Sequence, residues 1–185
     1  MSDKFEMPAD TWNKLSESIS EIVDKAKNVN GIFVECGVYK GATARILGKA
    51  KDKQVYLFDS WAGLPETTEY DNNDFYKKGD WYSEMKVAQD NLYVYSNMHF
   101  MKGEFPDRFN EIKNVGIALL HLDCSLYNST KLCLEYFWDQ VSAGGYVMCN
   151  YHEGYSVGPE KAFKEFFEGK REITEYPAGV AVVIK

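Results

Sequence analysis

The sequence lacks the features that mark membrane proteins and nucleic-acid-binding proteins. It has no amino-terminal segment with a charged start and an apolar continuation, and no apolar run long enough to span a bilayer. It also has no basic stripe, and its formal net charge is -7, so binding to nucleic-acid phosphates is not expected. We therefore expect a cytoplasmic protein with no membrane or nucleic-acid partner, whose ligands are small neutral or cationic molecules.

Spaced cysteine pairs are also missing. The chain has four cysteines but no C-x-x-C pair. Three of them fall at or near the ends of predicted apolar strands, so we expect reduced core thiols rather than disulfides or zinc ligands. The four residues are Cys36, Cys124, Cys133 and Cys149.

The hydrophobic pattern alternates between predicted strands and helices. A chain of 185 residues fits one domain over residues 1–185. The order predicts an α/β fold, a doubly wound and mostly parallel seven-stranded sheet with helices on both faces and a carboxy-terminal antiparallel hairpin. Strands are predicted to end at Glu35 and to lie at 54–59, 98–101, 115–124, 146–149, 173–176 and 180–184. Helices are predicted in the 1–30 segment and at 42–50, 82–93, 159–168 and from 128 to a glycine stop at 143–145.

Residues 60–85 interrupt this rhythm with a long, lid-like loop. The loop mixes tryptophan, tyrosine and phenylalanine with acids and amides. A loop of this length within a compact domain is usually functional or mobile. Its aromatic side chains could contact the apolar faces of a sugar or a polyketide. For each single residue, packing of the loop against the protein is an equally good explanation.

The turn that follows the first strand is the clearest candidate binding site. Gly37 allows a positive φ or a close backbone approach, and Gly41 lets the first helical turn pack closely or lie under a ligand. Glu35 would repel a pyrophosphate but attracts the ammonium and sulfonium of S-adenosylmethionine (SAM). Asp59 ends the next strand about twenty residues later, where nucleotide-binding sheets carry the ribose-binding carboxylate. These residues favour SAM over NAD.

Four sequence blocks occur in an order that resembles the macrocin O-methyltransferase (TylF-like) family. They lie at 34–41, 59–65, 102–107 and 122–130, and a Gly-Gly-Tyr-Val turn follows at 144–147. The resemblance covers about residues 31–167. It implies a class I SAM-dependent methyltransferase fold and methyl transfer to a sugar hydroxyl on a natural product, assisted by a divalent metal such as magnesium.

The resemblance also implies a set of cofactor contacts. Lys40 has a basic counterpart in the family, and the SAM carboxylate could hold it at a helix amino terminus, although a solvated lysine is the simpler interpretation. The other implied contacts are Glu35 at the SAM amino group, Gly37 and Gly41 under the methionine part, Asp59 and Ser60 on the ribose, and Gly63 in the turn after the second strand.

The acceptor half departs from the family pattern. Relatives have Asp-Gly-Asp-Leu-Tyr after the fourth strand, whereas this chain has Asp-Cys-Ser-Leu-Tyr at 123–127. Relatives also have paired aspartates after the fifth strand, where this chain has Asn150 and Tyr151. Asp123 with the Asn150 carbonyl would hold magnesium only weakly, because magnesium usually needs one or two carboxylates. Magnesium is therefore possible but not favoured.

The catalytic residues predicted from this pattern are Asp123 and His152. His152 follows the fifth strand and has a side chain suited to general base catalysis near neutral pH. His121 competes for that role, but its deeper position favours a core histidine.

Three functions remain open, and the preferred one is a SAM-dependent O-methyltransferase acting on a hydroxyl of a sugar or natural-product-like small molecule. The second is a SAM-binding protein with altered chemistry or a non-catalytic role. The third is a nicotinamide-dependent enzyme, which Glu35 and the lack of a third closely spaced glycine disfavour. A homo-oligomer is a reasonable expectation.

Overall fold

A mixed β-sheet forms the centre of the fold. The structure is a computed structural model, and it describes residues 7–151 and 156–185. Within these residues the strands are β1 (Ile32–Cys36), β2 (Val55–Asp59), β3 (Met98–Lys102), β4 (Ile117–Leu122), β5 (Val141–Asn150), β6 (Thr174–Tyr176) and β7 (Val180–Ile184). Their order across the sheet is β3-β2-β1-β4-β5-β7-β6. β7 runs antiparallel to both β5 and β6, and the other pairings are parallel. The predicted seven-stranded, doubly wound sheet with a closing hairpin is confirmed.

Helices cover both faces of this sheet. They are α1 (Ala9–Ala26), α2 (Ala44–Leu47), α3 (Met85–Leu92), α4 (Tyr127–Phe137) and α5 (Val157–Phe167), with 3-10 turns at Phe109–Ile112 and Trp138–Gln140. None of these described helices is long and apolar enough to cross a membrane. Every residue of β4 is buried because helices lie on both sides of it.

Strand alternation places the polar strand ends on one face. Phe33, Leu57 and Leu119 belong to the core under α1 and α2, whereas Val34 and Leu120 pack in the opposite core with α4 and α5. Because side chains alternate along a strand, the residues two positions beyond the first set also point toward α1. Those residues are Glu35, Asp59 and His121. Asp123 follows β4 two positions after His121, so the same alternation places it on this face.

The predicted glycine stop at 143–145 is wrong. Helix α4 ends at Phe137, and β5 already begins at Val141. Gly144, with φ 75°, and Gly145 lie inside β5, where the register with β4 shifts between Ile117 and Leu119. A Cβ on Gly145 would approach the Ile117 carbonyl oxygen to 2.9 Å. The glycines therefore permit a strand irregularity next to β4 rather than a helix end.

Two other segments show how tertiary packing changes local structure. The helix predicted at 42–50 contracts to the four residues of α2, flanked by turns. Residues 60–84 contain no helix or strand, yet Trp61 and Tyr76 are each only 3% exposed. The long loop therefore packs against the rest of the protein through the buried side chains of Trp61 and Tyr76.

The cysteines agree with the expectation of reduced thiols. All four are buried and free, and the sulfur atoms of Cys124 and Cys133 lie 3.9 Å apart.

Candidate functional site

A cavity of about 450 Å³ opens at the carboxyl ends of the central strands. Its wall includes Gly37 after β1, Asp59 at the end of β2, Glu104 after β3 and Asp123 after β4. Trp12 from α1 and several residues of the 60–85 loop complete the wall. The chain order reverses between β1 and β4, so the cavity lies at the switch point where open α/β sheets bind ligands.

The glycine turn is fixed by Asp59. One oxygen of this carboxylate accepts the backbone N–H groups of Val38 and Tyr39, both at 2.8 Å, and the other accepts the Trp61 N–H at 2.7 Å. Gly37 has φ 88°, and a Cβ there would lie 2.2 Å from the Asp123 carbonyl oxygen. Because a carboxylate offers about four acceptor positions, Asp59 can hold the turn and still accept a ligand hydroxyl.

Glu35 and His121 form a buried pair behind the turn. The His121 Nδ1–H donates to Glu35 Oε1 at 2.9 Å, and Thr43, which lines the cavity, donates its hydroxyl to the same oxygen at 2.6 Å. Burial raises the pKa of Glu35, and its bond with His121 only partly offsets this. Burial lowers the pKa of His121, but the hydrogen bond to Glu35 and the charges of Glu35 and Asp123 outweigh it, so the net pKa is raised. Both shifts favour keeping a proton in the pair at neutral pH.

Unpartnered polar atoms gather at this pair. Asn150, at the end of β5, lies beside His121. Within the described residues, the buried side-chain atoms without a hydrogen-bond partner are Glu35 Oε2, His121 Nε2 and both polar atoms of the Asn150 amide. An unsatisfied buried polar atom costs about 1–3 kcal/mol. The cluster is therefore suited to take up water or a polar group of a ligand.

The cavity wall also carries Asp123, Ser125 and Tyr76. The hydroxyl groups of Tyr76 and Ser156 are hydrogen-bonded at 2.6 Å, and Tyr76 also lies close to Ser125 and Asp123. Burial raises the pKa of Tyr76, and its bond to Ser156 does not cancel this effect. Tyr76 thus stays protonated at neutral pH and can donate a hydrogen bond. Sequence reasoning named Tyr76 only as one aromatic residue of the loop.

The predicted site residues divide between the cavity wall and its surroundings. Those on the wall are Gly37, Asp59, Ser60, Gly63 and Asp123. Those off the wall are Glu35, Lys40, Gly41 and Asn150. The Lys40 ammonium lies 4.8 Å from the centre of the Tyr39 ring, and a Cβ on Gly41 would lie 2.7 Å from Leu92 Cδ1 of α3. His152 lies outside the described residues, so its role as a base stays a prediction.

Comparison with known proteins places these features in a family. The profile of the TylF macrocin-O-methyltransferases matches residues 9–179. The chain belongs to this family. The family assignment made from the ordered sequence blocks is therefore confirmed.

A curated protein and a solved structure illustrate the similarity. The chain is 26% identical over 153 residues to demethyldecarbamoylnovobiocin O-methyltransferase of Streptomyces niveus, covering 73% of this chain and 58% of that protein. The chain thus spans less than two thirds of the length of this curated relative. The structure of the O-methyltransferase NovP matches with a TM-score of 0.77 and 23% identity, covering 93% of this chain and 79% of that one.

A calicheamicin methyltransferase, CalS11, gives a TM-score of 0.76 at 18% identity, covering 91% of this chain and 77% of that one. At these identities the structural matches establish the fold alone. They confirm a Rossmann-like methyltransferase fold for the TylF-family chain.

The side chains that the structure describes do not form a magnesium centre. Magnesium requires hard oxygen ligands in near-octahedral geometry. Across 7–151 and 156–185, no three His, Cys, Asp or Glu side chains come together in a way that could hold a metal ion. The Asn150 amide is buried off the cavity wall, and the Tyr151 hydroxyl donates to Glu175.

Proposed function

We propose that this chain is a SAM-dependent O-methyltransferase that acts on a hydroxyl of a sugar or natural-product-like small molecule. The observation that carries the proposal is the turn at Gly37, fixed by the Asp59 carboxylate at the switch point of the sheet. Backbone approach at Gly37 and a carboxylate at the next strand end suit an adenosyl cofactor. A relative named demethyldecarbamoylnovobiocin O-methyltransferase and a structural neighbour named TDP-rhamnose 3'-O-methyltransferase, an enzyme in calicheamicin biosynthesis, support the same activity.

Several residues of this chain would hold the cofactor. Asp59 and Ser60 face the cavity, where they can bind ribose hydroxyls. Glu35 accepts the Thr43 hydroxyl through Oε1, and its Oε2 has no hydrogen-bond partner and can accept one from an ammonium group. When bound, SAM supplies an electrophilic methyl group. The carboxylates of the cavity wall also attract the positively charged sulfonium of SAM.

Asp123 is the proposed base. It lies on the wall beside the Gly37 turn, and its backbone N–H donates to the Cys36 carbonyl oxygen at 2.8 Å, which fixes it relative to β1. With SAM bound, the Asp123 carboxylate would accept the hydroxyl proton as the acceptor oxygen takes the methyl group and the carbon–sulfur bond of SAM breaks to leave S-adenosylhomocysteine. Tyr76, protonated and close to Asp123, can orient the acceptor by donating a hydrogen bond. His152 is a second proposed base.

One alternative has a specific observation in its favour. Ser125, Asn150 and Tyr151 stand where the family pattern has carboxylates, and the Asn150 amide has no hydrogen-bond partner. A SAM-binding protein with altered or absent methyl transfer would tolerate these changes.

Transfer of radiolabelled methyl groups from SAM to a panel of glycosides separates the two functions. We expect incorporation by the wild type and a loss of at least about tenfold in kcat for Asp123→Asn, since general base catalysis typically contributes 10²–10⁴-fold. Asp139→Asn is the matched control, because Asp139 is exposed and off the cavity wall. SAM binding without transfer to any acceptor would favour the alternative.

The same assay with EDTA tests the proposed metal independence. We expect unchanged turnover in EDTA, because the described donor set offers no magnesium centre. Loss of activity in EDTA and recovery with magnesium would contradict this part of the proposal.

A further inference from the structure

The carboxylate of Glu35 is held from two sides through one of its oxygens. The His121 Nδ1–H donates to Oε1 at 2.9 Å, and the Thr43 hydroxyl donates to the same atom at 2.6 Å. The last torsion of a glutamate side chain has a broad energy minimum, so hydrogen bonds rather than the torsion itself set the orientation of the carboxylate. The two donors on Oε1 therefore also fix the position of Oε2.

The second oxygen of Glu35 lies close behind the cavity wall. Thr43 belongs to that wall, and so does Gly37, two residues after Glu35. Glu35 is fully buried, and its Oε2 has no hydrogen-bond partner. A buried acceptor without a donor is costly. A charged donor that enters from the cavity would remove that cost.

The imidazole of His121 reaches Glu35 from the neighbouring strand. The two residues are register partners across β1 and β4, and both are fully buried. His121 is not part of the cavity wall. A ligand in the cavity would therefore be influenced by His121 through the carboxylate of Glu35 and not by direct contact.

We infer that His121 is a positioning residue for cofactor binding, which holds Glu35 so that Oε2 accepts a hydrogen bond from the ammonium group of SAM. The inference rests on the proposed function and adds to it a residue that does not itself touch the cofactor. Loss of the His121 imidazole should therefore weaken the part of the affinity that comes from the ammonium group and leave the rest of cofactor binding in place.

Two cofactor analogues isolate the contribution of the ammonium group. They are S-adenosylhomocysteine (SAH) and its deamino analogue, in which hydrogen replaces the amino group, and isothermal titration measures both dissociation constants. We expect the wild type to bind SAH about tenfold tighter or more, because a hydrogen bond between charged groups contributes on the order of one decade in Kd. Binding of the two analogues within about twofold of each other would overturn the inference.

Substitutions of His121 assign this preference to its side chain. In His121→Leu the preference for SAH should fall to about twofold, because Glu35 loses the donor that orients it. His121→Asn should keep most of the preference, since an amide N–H close to the position of Nδ1 can donate to Glu35. A merely structural role of His121 would weaken the binding of both analogues alike and leave their ratio unchanged.

His99→Leu is the matched control. His99 lies on β3 and off the cavity wall, where its Nε2 is hydrogen-bonded to Gln54. The same substitution there should leave the ratio of the two dissociation constants unchanged.

A measurement on the wild type decides the matter if His121→Leu fails to fold. The chain has only three histidines, so their ring nitrogen signals can be assigned by NMR. We expect the His121 signals to shift when SAH saturates the protein and to stay near their ligand-free positions with the deamino analogue, because only SAH brings a positive charge to Glu35.

Two further results would overturn the inference. They are equal shifts of the His121 signals with the two analogues, or a preference for SAH that survives in folded His121→Leu. A protein that binds neither analogue contradicts the proposed function and the inference together, whereas SAH binding without these differences contradicts the inference alone.

Discussion

The pair of Glu35 and His121 shows how single residues join the stability of the sheet to its ligand site. Both side chains are fully buried, face each other across β1 and β4, and share one hydrogen bond. A buried ionisable group is tolerated when its partner is present and is costly when the partner is removed. Each member of the pair therefore offsets the cost of burying the other.

Replacing one member of the pair should be strongly destabilising. We expect His121→Leu to lower the free energy of unfolding by about 3 kcal/mol, because Glu35 keeps its buried carboxyl without its main partner. Urea denaturation followed by circular dichroism measures the change.

The double variant Glu35→Leu/His121→Leu is the control for this prediction. It should lose less stability than the sum of the two single variants, since neither buried polar group is then left alone. Additive losses would show that the two side chains act independently and would contradict the account of the pair.

At the scale of elements, the 60–85 loop is tied to the helices that flank the cavity. Asp71 is buried, and its carboxylate accepts the Tyr127 N–H at 2.7 Å as well as the backbone N–H and the hydroxyl of Thr68, both at 2.8 Å. The Tyr76 hydroxyl bonds to Ser156 at the start of α5. These hydrogen bonds attach the loop to α4 and to α5.

Removal of the first attachment should loosen the loop. We expect Asp71→Ala to lower stability by about 2 kcal/mol, because it leaves buried donors unpaired, and to raise the rate of proteolytic cleavage within residues 60–85. The matched control is Asp74→Ala, since Asp74 lies in the same loop but is exposed. Equal cleavage rates in the two variants would refute the attachment.

The close backbone approach at Gly37, in the turn after β1, can be tested separately. Gly37 and Gly144 both have positive φ, at 88° and 75°, but only Gly37 is crowded, because nothing lies within 4 Å of a Cβ on Gly144. Gly144→Ala should cost about 1–2 kcal/mol from backbone strain alone. Gly37→Ala should cost more and abolish SAH binding, as measured by thermal denaturation with and without SAH. Similar effects of the two substitutions would contradict the close approach at Gly37.

These elements also show what sequence reasoning can reach. The turn at Gly37 and the carboxylate of Asp59 were predictable, because strand ends and glycine turns are set by local patterns. The glycines of β5 were misassigned, since their conformation depends on pairing with β4 and with the chain end, where the Gly144 N–H donates to the Lys185 carbonyl oxygen at 2.8 Å. Tyr76 was overlooked as a site residue because only the folded loop brings it near Asp123.

At the scale of the whole molecule, fold, charge and cavity agree on the kind of ligand. The family match over residues 9–179 shows a TylF-family chain, and the cavity lies at the switch point of its sheet. The chain has a net charge of -7. The cavity wall has the same sign of charge, because it carries carboxylates and no Lys, Arg or His among the described residues. Such a site favours a cationic cofactor over a dinucleotide, whose pyrophosphate would lie beside those carboxylates.

Isothermal titration of the purified protein with SAH and with NAD in a buffer that contains EDTA tests this central claim most directly. We predict saturable heat with SAH at one site per chain and no saturable heat with NAD, because the Gly37 turn and its acidic surroundings suit the adenosyl amino acid and not a pyrophosphate. Saturable binding of NAD, or no binding of SAH by a protein that is folded by circular dichroism, would contradict the account.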